Sequence, residues 1–436
     1  MELYQPKSAV PPFHLVTPVW GTQFTDTFLE VTLPCLLSPG NIPGLPDLTQ
    51  CTYKIFSTDT DFPRIRESPA FKNLCTLMKV ELRKIESFDE NPYVRSSTCY
   101  RTASREAAAA GAVAVYLIPD MVFADGGLRS IARLMQQGKR AVMVAGLRTT
   151  KETIVPEVLS RFRAGDAIMA PPQALVELAM RHLHPIMQHH MYDSDCETFN
   201  PSFFCWPVAG EGCVVHCAHL HPVAVNFLGS RATFHGTIDD DLLFDLKLRD
   251  EELAFVTDSD DLLWFEISAR DRSVPPATGK RLWEILKWLN GATYPHQRGY
   301  LTHALRVHSN GAESPAWRAA EVHAAGVIAT VLSAFELEKD RIGRSPAAYA
   351  VPAAVQIGDT EAARDPGSAI RKIMDVAGTA EVLDEVSAAL EERARTYVTP
   401  GAGRRFNRSL TKFVAAYLII GAGKGLRTLL RRFKRR

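Results

Sequence analysis

The 436-residue sequence predicts an α/β fold: a mixed, mostly parallel, Rossmann-like sheet flanked by helices, with a helical C-terminal region. Two observations carry this. Short apolar runs alternate with helical patterns from Phe13 to Ala145, and beyond about residue 275 the pattern turns helical. Alternation of this kind implies parallel pairing through right-handed crossovers.

In order, Phe13-His-Leu-Val-Thr-Pro-Val-Trp-Gly21 reads as a buried strand ending in a loop. A helix is expected from about Thr25 to Leu37, stopped by Ser38-Pro39-Gly40. Cys51–Ser57 is a second strand, Pro63–Leu74 a helix and Met78–Ile85 a third strand. The Ala-rich helix Arg101–Ala112 feeds the apolar strand Val113–Ile118, and the helix Leu128–Gln137 precedes the strand Ala141–Ala145. Ala174–Leu183 is a helix, Cys213–His221, Pro222–Phe227 and Glu252–Thr257 are strand-like, and Gly279–Leu289, Ala316–Phe335 and Gly367–Tyr397 are helical. The expected organisation is a catalytic domain over 1–270, a helical region over 271–403 and a basic tail over 404–436.

A net charge of +1 hides an asymmetry. From Arg404 to Arg436 there are 11 Lys or Arg and no acid, leaving 39 basic against 49 acidic residues elsewhere. An acidic body argues against nucleic acid as a partner, since phosphate neutralisation needs a basic face. The eight cysteines have no Cys-x-x-Cys spacing, which suggests reduced thiols and a cytoplasmic setting. The N-terminus lacks the layout of a signal peptide, and no apolar run reaches the roughly 18 residues of a spanning helix. Phe413–Gly423 is apolar between basic flanks, the pattern of an amphipathic helix lying on an anionic membrane surface. The expected location is therefore peripheral, on the inner face of the membrane; an RNA-binding or protein-docking tail is the alternative.

Parallel sheets bind ligands at the carboxyl ends of their strands. Two ends stand out: Thr17-Pro18-Val19-Trp20-Gly21, and Pro119-Asp120 with Asp125 before Gly126-Gly127. Departure of a diphosphate is commonly assisted by a divalent cation on carboxylates at such an end. Strand, loop, helix and an apolar strand closing on an acid together resemble the GT-A superfamily of nucleotide-sugar glycosyltransferases, over about residues 13–265. Where that superfamily has Asp-x-Asp, this sequence has Asp120-Met121-Val122, keeping one acid.

The resemblance implies a nucleotide-sugar donor, a glycan or lipid-linked acceptor, and Mn or Mg as a possible cofactor. It implies Thr17, Trp20 and Gly21 as a base-binding loop, against the alternative of a buried Trp in an ordinary turn. Thr58 and Asp59 could contact base or ribose, or belong to a helix cap. Arg101 and Arg105, a helical turn apart, could reach phosphates or sit on a solvated face. Asp120 is the leading catalytic and metal-binding candidate, with Asp125, His219 and His221 as further metal ligands; both acids could instead cap the Leu128 helix. Asp239 and Asp258 are candidate catalytic or sugar-binding acids, or surface turns. Asp193-Ser194-Asp195 has the Asp-x-Asp spacing without a preceding strand. The rival functions are a metal-dependent hydrolase using the His and Asp clusters between His182 and Asp261, and a catalytically silent nucleotide- or sugar-binding module.

Overall fold

The computed structural model describes residues 11–86, 91–192, 202–228, 230, 237–239, 242–272, 285–286, 288–289, 293 and 295–338. These fall into two compact units, the described parts of Met1–Ala277 with Tyr294–Ala324, and of Thr278–Thr293 with Ala325–Arg436. Residues 325–338 of the second unit are helical. The expected helix 367–397, the tail 404–436 and Asp193-Ser194-Asp195 lie outside the described residues.

In the first unit β1 (Phe13–Pro18) runs into α1 (Thr22–Thr27), a π turn (Phe28–Thr32) and α2 (Leu33–Leu36). Pro34 explains the π turn: without an N–H it cannot complete the ladder back to Glu30, so the preceding turn widens. Next come β2 (Thr52–Ser57), α3 (Phe62–Glu67), α4 (Pro69–Leu77) and β3 (Lys79–Lys84). The single helix expected over 63–74 is two, because Pro69 forces Ser68 into an extended conformation. The Ala-rich helix α5 (Pro92–Ala110) starts nine residues earlier than expected, with Pro92 at its first turn and the Asn91 side-chain oxygen accepting from the Tyr93 N–H. Then follow β4 (Val113–Tyr116), β5 (Met121–Phe123), α6 (Gly127–Gln136), β6 (Ala141–Val144) and β7 (Leu147–Thr150). The remainder comprises α7 (Lys151–Phe162), the two-residue strands β8 (Arg163–Ala164) and β9 (Ala167–Ile168), α8 (Pro172–Arg181), α9 (Met187–His190), β10 (Phe203–Val208), β11 (Gly212–Cys217) and β12 (His221–Asn226). The last described elements are α10 (Leu242–Leu246), β13 (Leu253–Phe255), β14 (Trp264–Ser268), α11 (Pro295–Tyr300), β15 (Leu305–His308) and α12 (Pro315–Glu338).

The fold is the α/β class expected. The central seven-stranded sheet has the order β13-β6-β12-β4-β1-β2-β3, parallel throughout except for β12, which is antiparallel to both neighbours. Every residue of β4 and β6 is buried, so side chains on both faces are covered. Burial of a single Val or Leu of this kind is worth about 1.5–3 kcal/mol. Two three-stranded sheets extend the unit, beside the short β8-β9 hairpin. One, β5-β14-β7, is built from strands that continue past the ends of β4 and β6 and are joined by β14. The other is antiparallel, β10-β11-β15.

The strand order reverses between β1, whose successors build outward to β3, and β4, from which the sheet grows the other way. In open α/β sheets the carboxyl ends at such a switch point, here those of β1 and β4, are where a ligand crevice forms.

Candidate functional site

The loop after β1 is tied to the loop after β2 by one carboxylate. Asp61 accepts hydrogen bonds from the Gly21 N–H at 3.0 Å, the Thr25 hydroxyl at 3.2 Å and the Thr58 hydroxyl at 2.5 Å. Gly21 holds φ 80° and ψ 143°, a conformation strained for any side chain. Trp20 is half-buried, with the Arg95 guanidinium 5.3 Å from its ring centroid. This cation from the first turn of α5 was not among the sequence candidates. Arg101 is half-buried further along α5; Arg105 is exposed and lies about 15 Å along the axis from Arg95, away from this edge. Thr17 is fully buried, its hydroxyl 2.8 Å from that of Tyr53, so its side chain serves the core beneath the loop. Thr58 faces Asp61, while Asp59 is exposed and paired with Lys84.

Asp120 follows β4 at the same edge and is buried. The peptides on either side are held by Thr32 of the π turn: its hydroxyl accepts from the Met121 N–H at 3.0 Å and lies within donating distance of the Pro119 and Met121 carbonyls, at 2.8 and 2.9 Å. Ile267 of β14 donates its N–H to the Asp120 carbonyl at 2.7 Å. Burial, and then the negative charge of Glu266, raise the Asp120 carboxyl from 3.8 to about 7. Glu266 itself is bound by Arg148 at 2.6 Å and Arg272 at 3.3 Å. Thr32, Glu266 and the two arginines were missed in the sequence. The Trp264-Phe-Glu-Ile-Ser268 run, with its aromatic and β-branched residues, is the signal that would have found β14.

Because β12 is antiparallel, its first residue, His221, stands at the carboxyl edge of the parallel strands. Its Nε2–H donates to the Tyr116 carbonyl at 3.1 Å, its ring meets Trp264 edge-on at 5.3 Å, and burial lowers its pKa, leaving a neutral imidazole. Asp239 lies close enough for its charge to act on His221, and its backbone carbonyl accepts from Gln297 at 2.7 Å. His219 is half-buried in the turn before β12. Asp125 accepts from the Gly40 N–H at 2.6 Å, fastening the loop after α2. Neither Asp125 nor Asp120 caps α6: Gly126 is the capping residue, and the Leu128 N–H goes to the Asn41 side chain at 3.1 Å.

The group expected to bind a cation was Asp120, Asp125, His219 and His221. Among the described residues, the metal-binding geometry belongs to Asp258, Asp260 and His308, whose ligand atoms lie within 4.8 Å of one another. This group could hold a divalent cation, two carboxylates suiting Mg or Mn and an imidazole suiting Mn. His308 is buried between two partners: its Nδ1 accepts from the Gly311 N–H at 2.9 Å, so in the neutral ring Nε2 carries the proton and donates to Asp258, also at 2.9 Å. A cation using Nε2 must displace that proton. Asp260 accepts from Gln173 at 2.8 Å.

No protein-family model and no curated protein matches the sequence. Among solved structures, the chain is similar to the mannosyltransferase PcManGT from Pyrobaculum calidifontis, in complex with GDP-Man and Mn2+, at TM-score 0.32 and 11% identity over 94% of this chain and 88% of that one. It is similar to S. aureus TarS at TM-score 0.26 and 11% identity, covering 67% of this chain and 42% of the TarS chain. Mouse xyloside xylosyltransferase 1 follows at TM-score 0.22 and 10% identity, over 36% of this chain and 61% of that one. The chain thus spans less than half the length of TarS.

Proposed function

We propose that the chain transfers a sugar from a nucleotide donor to a glycan or lipid-linked acceptor. The observation that carries this reading is the switch-point crevice, where Trp20 and Gly21 end β1 and the buried Asp120 follows β4 on one sheet edge. In this reading Trp20, held by Arg95, stacks on the base, and the backbone at Gly21 approaches it closely. Asp120 orients the sugar as a hydrogen-bonding partner or receives a proton. The neutral His221 and the Glu266–Arg148–Arg272 cluster border the leaving group. The catalytic domain is assigned to residues 1–270 together with the stretch around β15, which pairs with β11 and carries His308; the rest of 271–403 is the helical accessory region. A cation at Asp258, Asp260 and His308 would organise charge at the sheet's far edge.

The test is a panel of nucleoside diphosphates and nucleotide sugars read by thermal shift, since a ligand of the folded state raises apparent stability. Trp20→Ala is expected to weaken the tightest binder by about 1–3 kcal/mol, the scale of base–aromatic stacking. Unchanged affinity in a folded variant sinks the base-binding loop.

A membrane-facing tail belongs to the same proposal. No helix among the described residues is long and apolar enough to cross a membrane. The support is compositional, 11 basic residues and no acid from Arg404 to Arg436. Truncation before Arg404 is expected to abolish co-sedimentation with anionic vesicles; persistent binding would remove the tail from the assignment.

A further inference from the structure

β14 runs past Asp120 towards a cavity. Ile267 bonds the Asp120 carbonyl, and Arg270, three residues on, is one of the residues lining a space of about 310 Å3. That span is at most about 10 Å, since the chain turns at Ala269. The volume is at the lower end of the range for small-molecule pockets. The apolar lining is Leu183, Pro185, Met187 and Met191, and methionine side chains adapt to irregular apolar shapes.

The polar groups inside are already engaged. His184 donates Nε2–H to the Ala269 carbonyl at 2.9 Å and accepts the Ile186 N–H on Nδ1 at 3.2 Å, and the Thr150 hydroxyl lies 3.4 Å from the Leu183 carbonyl. Arg270 differs. Its backbone N–H is held by Glu152 at 3.1 Å, but its exposed guanidinium pairs with no carboxylate among the described residues, whereas nearby Arg148 and Arg272 both pair with Glu266. A half-open cavity with a mainly apolar lining and one uncommitted planar cation beside it suits a ligand with an apolar body and an anionic group.

We propose that this cavity seats the acceptor, an amphiphile with its apolar body among Leu183, Pro185, Met187 and Met191 and its phosphate or carboxylate on Arg270. The assignment of acceptor rests on the transfer reading above; the binding site itself does not. In the transfer, an acceptor hydroxyl forms the new bond to the sugar's anomeric carbon as the bond from that carbon to the diphosphate breaks. The diphosphate leaves with the electron pair, and the hydroxyl proton passes to Asp120 or to solvent.

The experiment measures binding of octyl phosphate, octanoate, octanol and inorganic phosphate to the full chain by calorimetry, with and without saturating uridine diphosphate. At least one octyl anion is expected to bind at least tenfold tighter than octanol or inorganic phosphate, and the preferred anion distinguishes phosphate from carboxylate. Arg270→Gln should reduce that anion to the level of octanol. Gln188→Trp, which narrows the cavity from an exposed position, should weaken octanol and anion alike. No preference for either anion, or anion affinity unchanged in both folded variants, overturns the site. Competition between the octyl anion and uridine diphosphate overturns the acceptor role. Arg270-dependent anion binding in a chain that binds no nucleotide keeps the cavity as a ligand site and removes the transfer reading instead.

Discussion

Asp120 is a residue whose burial is costly to the fold. Its carboxyl titrates near 7 because desolvation, reinforced by Glu266, disfavours the ionised form. Between its ordinary value of 3.8 and about 7, the folded protein keeps a proton that the unfolded chain has released. Stability contributed by this group therefore falls as pH rises through that window and stays low above it. Asp120→Asn removes the ionisation, so the variant should match the parent near pH 4 and exceed its stability at pH 8. The gain should be a few kcal/mol at most, each pH unit of the window being worth about 1.4 kcal/mol. Denaturant melts at the two pH values measure this directly. In the transfer reading the same variant loses at least about a hundredfold in turnover, the scale of a lost electrostatic contact in the transition state. A variant that is more stable and inactive fits a carboxylate retained for chemistry, whereas one that is less stable at pH 8 shows that the ionised form is held by contacts outweighing its desolvation.

At the scale of elements, the loops after β1 and β2 behave as one unit because Asp61 binds Gly21, Thr25 and Thr58 together. Gly21→Ala introduces a Cβ that meets nothing within 4 Å, so any effect comes from backbone strain at φ 80° and not from a clash. The expected cost is about 1–3 kcal/mol of stability, with nucleoside diphosphate affinity falling as the loop shifts. A neutral effect on both, by thermal melt and calorimetry, would show that the loop relaxes freely and is not preorganised. These elements also show what was legible in the sequence. Strands β1, β2, β4 and β6 were readable because each is a short, largely apolar run closed by turn residues, and β3 because Val80 and Leu82 alternate with charges; that was enough to place Trp20 and Asp120 at the carboxyl edge. β5, β7 and β14 were not readable: they are three to five residues long, and their pairing joins segments more than a hundred residues apart. The support around Asp120 comes from this long-range pairing and from Thr32, whose position depends on the local widening before Pro34. Arg95 was overlooked for Arg101 and Arg105 because the start of α5 was placed too late, which shifted attention down the helix by more than a turn.

Across the whole molecule, the sheet order sets how far apart the two candidate groups stand. Asp120 follows β4 and Asp258 follows β13, which run in the same direction, so both lie towards the carboxyl edge. β13 is the third strand from β4, which separates the strand ends by about 14 Å at roughly 4.8 Å per strand. A single cation on Asp258, Asp260 and His308 is then too distant to be coordinated by Asp120 as well, since oxygen ligands sit at about 2.0–2.6 Å. The two groups should therefore act separately. Manganese binding by the full chain, followed by calorimetry, should weaken in Asp260→Asn and strengthen as pH rises, because the His308 Nε2 proton given to Asp258 must leave when nitrogen binds the metal. Nucleoside diphosphate affinity should stay within about twofold when manganese is chelated, since electrostatic coupling is screened beyond roughly 8–10 Å in water at ordinary salt. If Asp260→Asn or chelation instead removes nucleotide binding altogether, the diphosphate reaches the β13 edge. The crevice between β1 and β4 would then hold only part of the donor, and the cation would belong to the reaction centre.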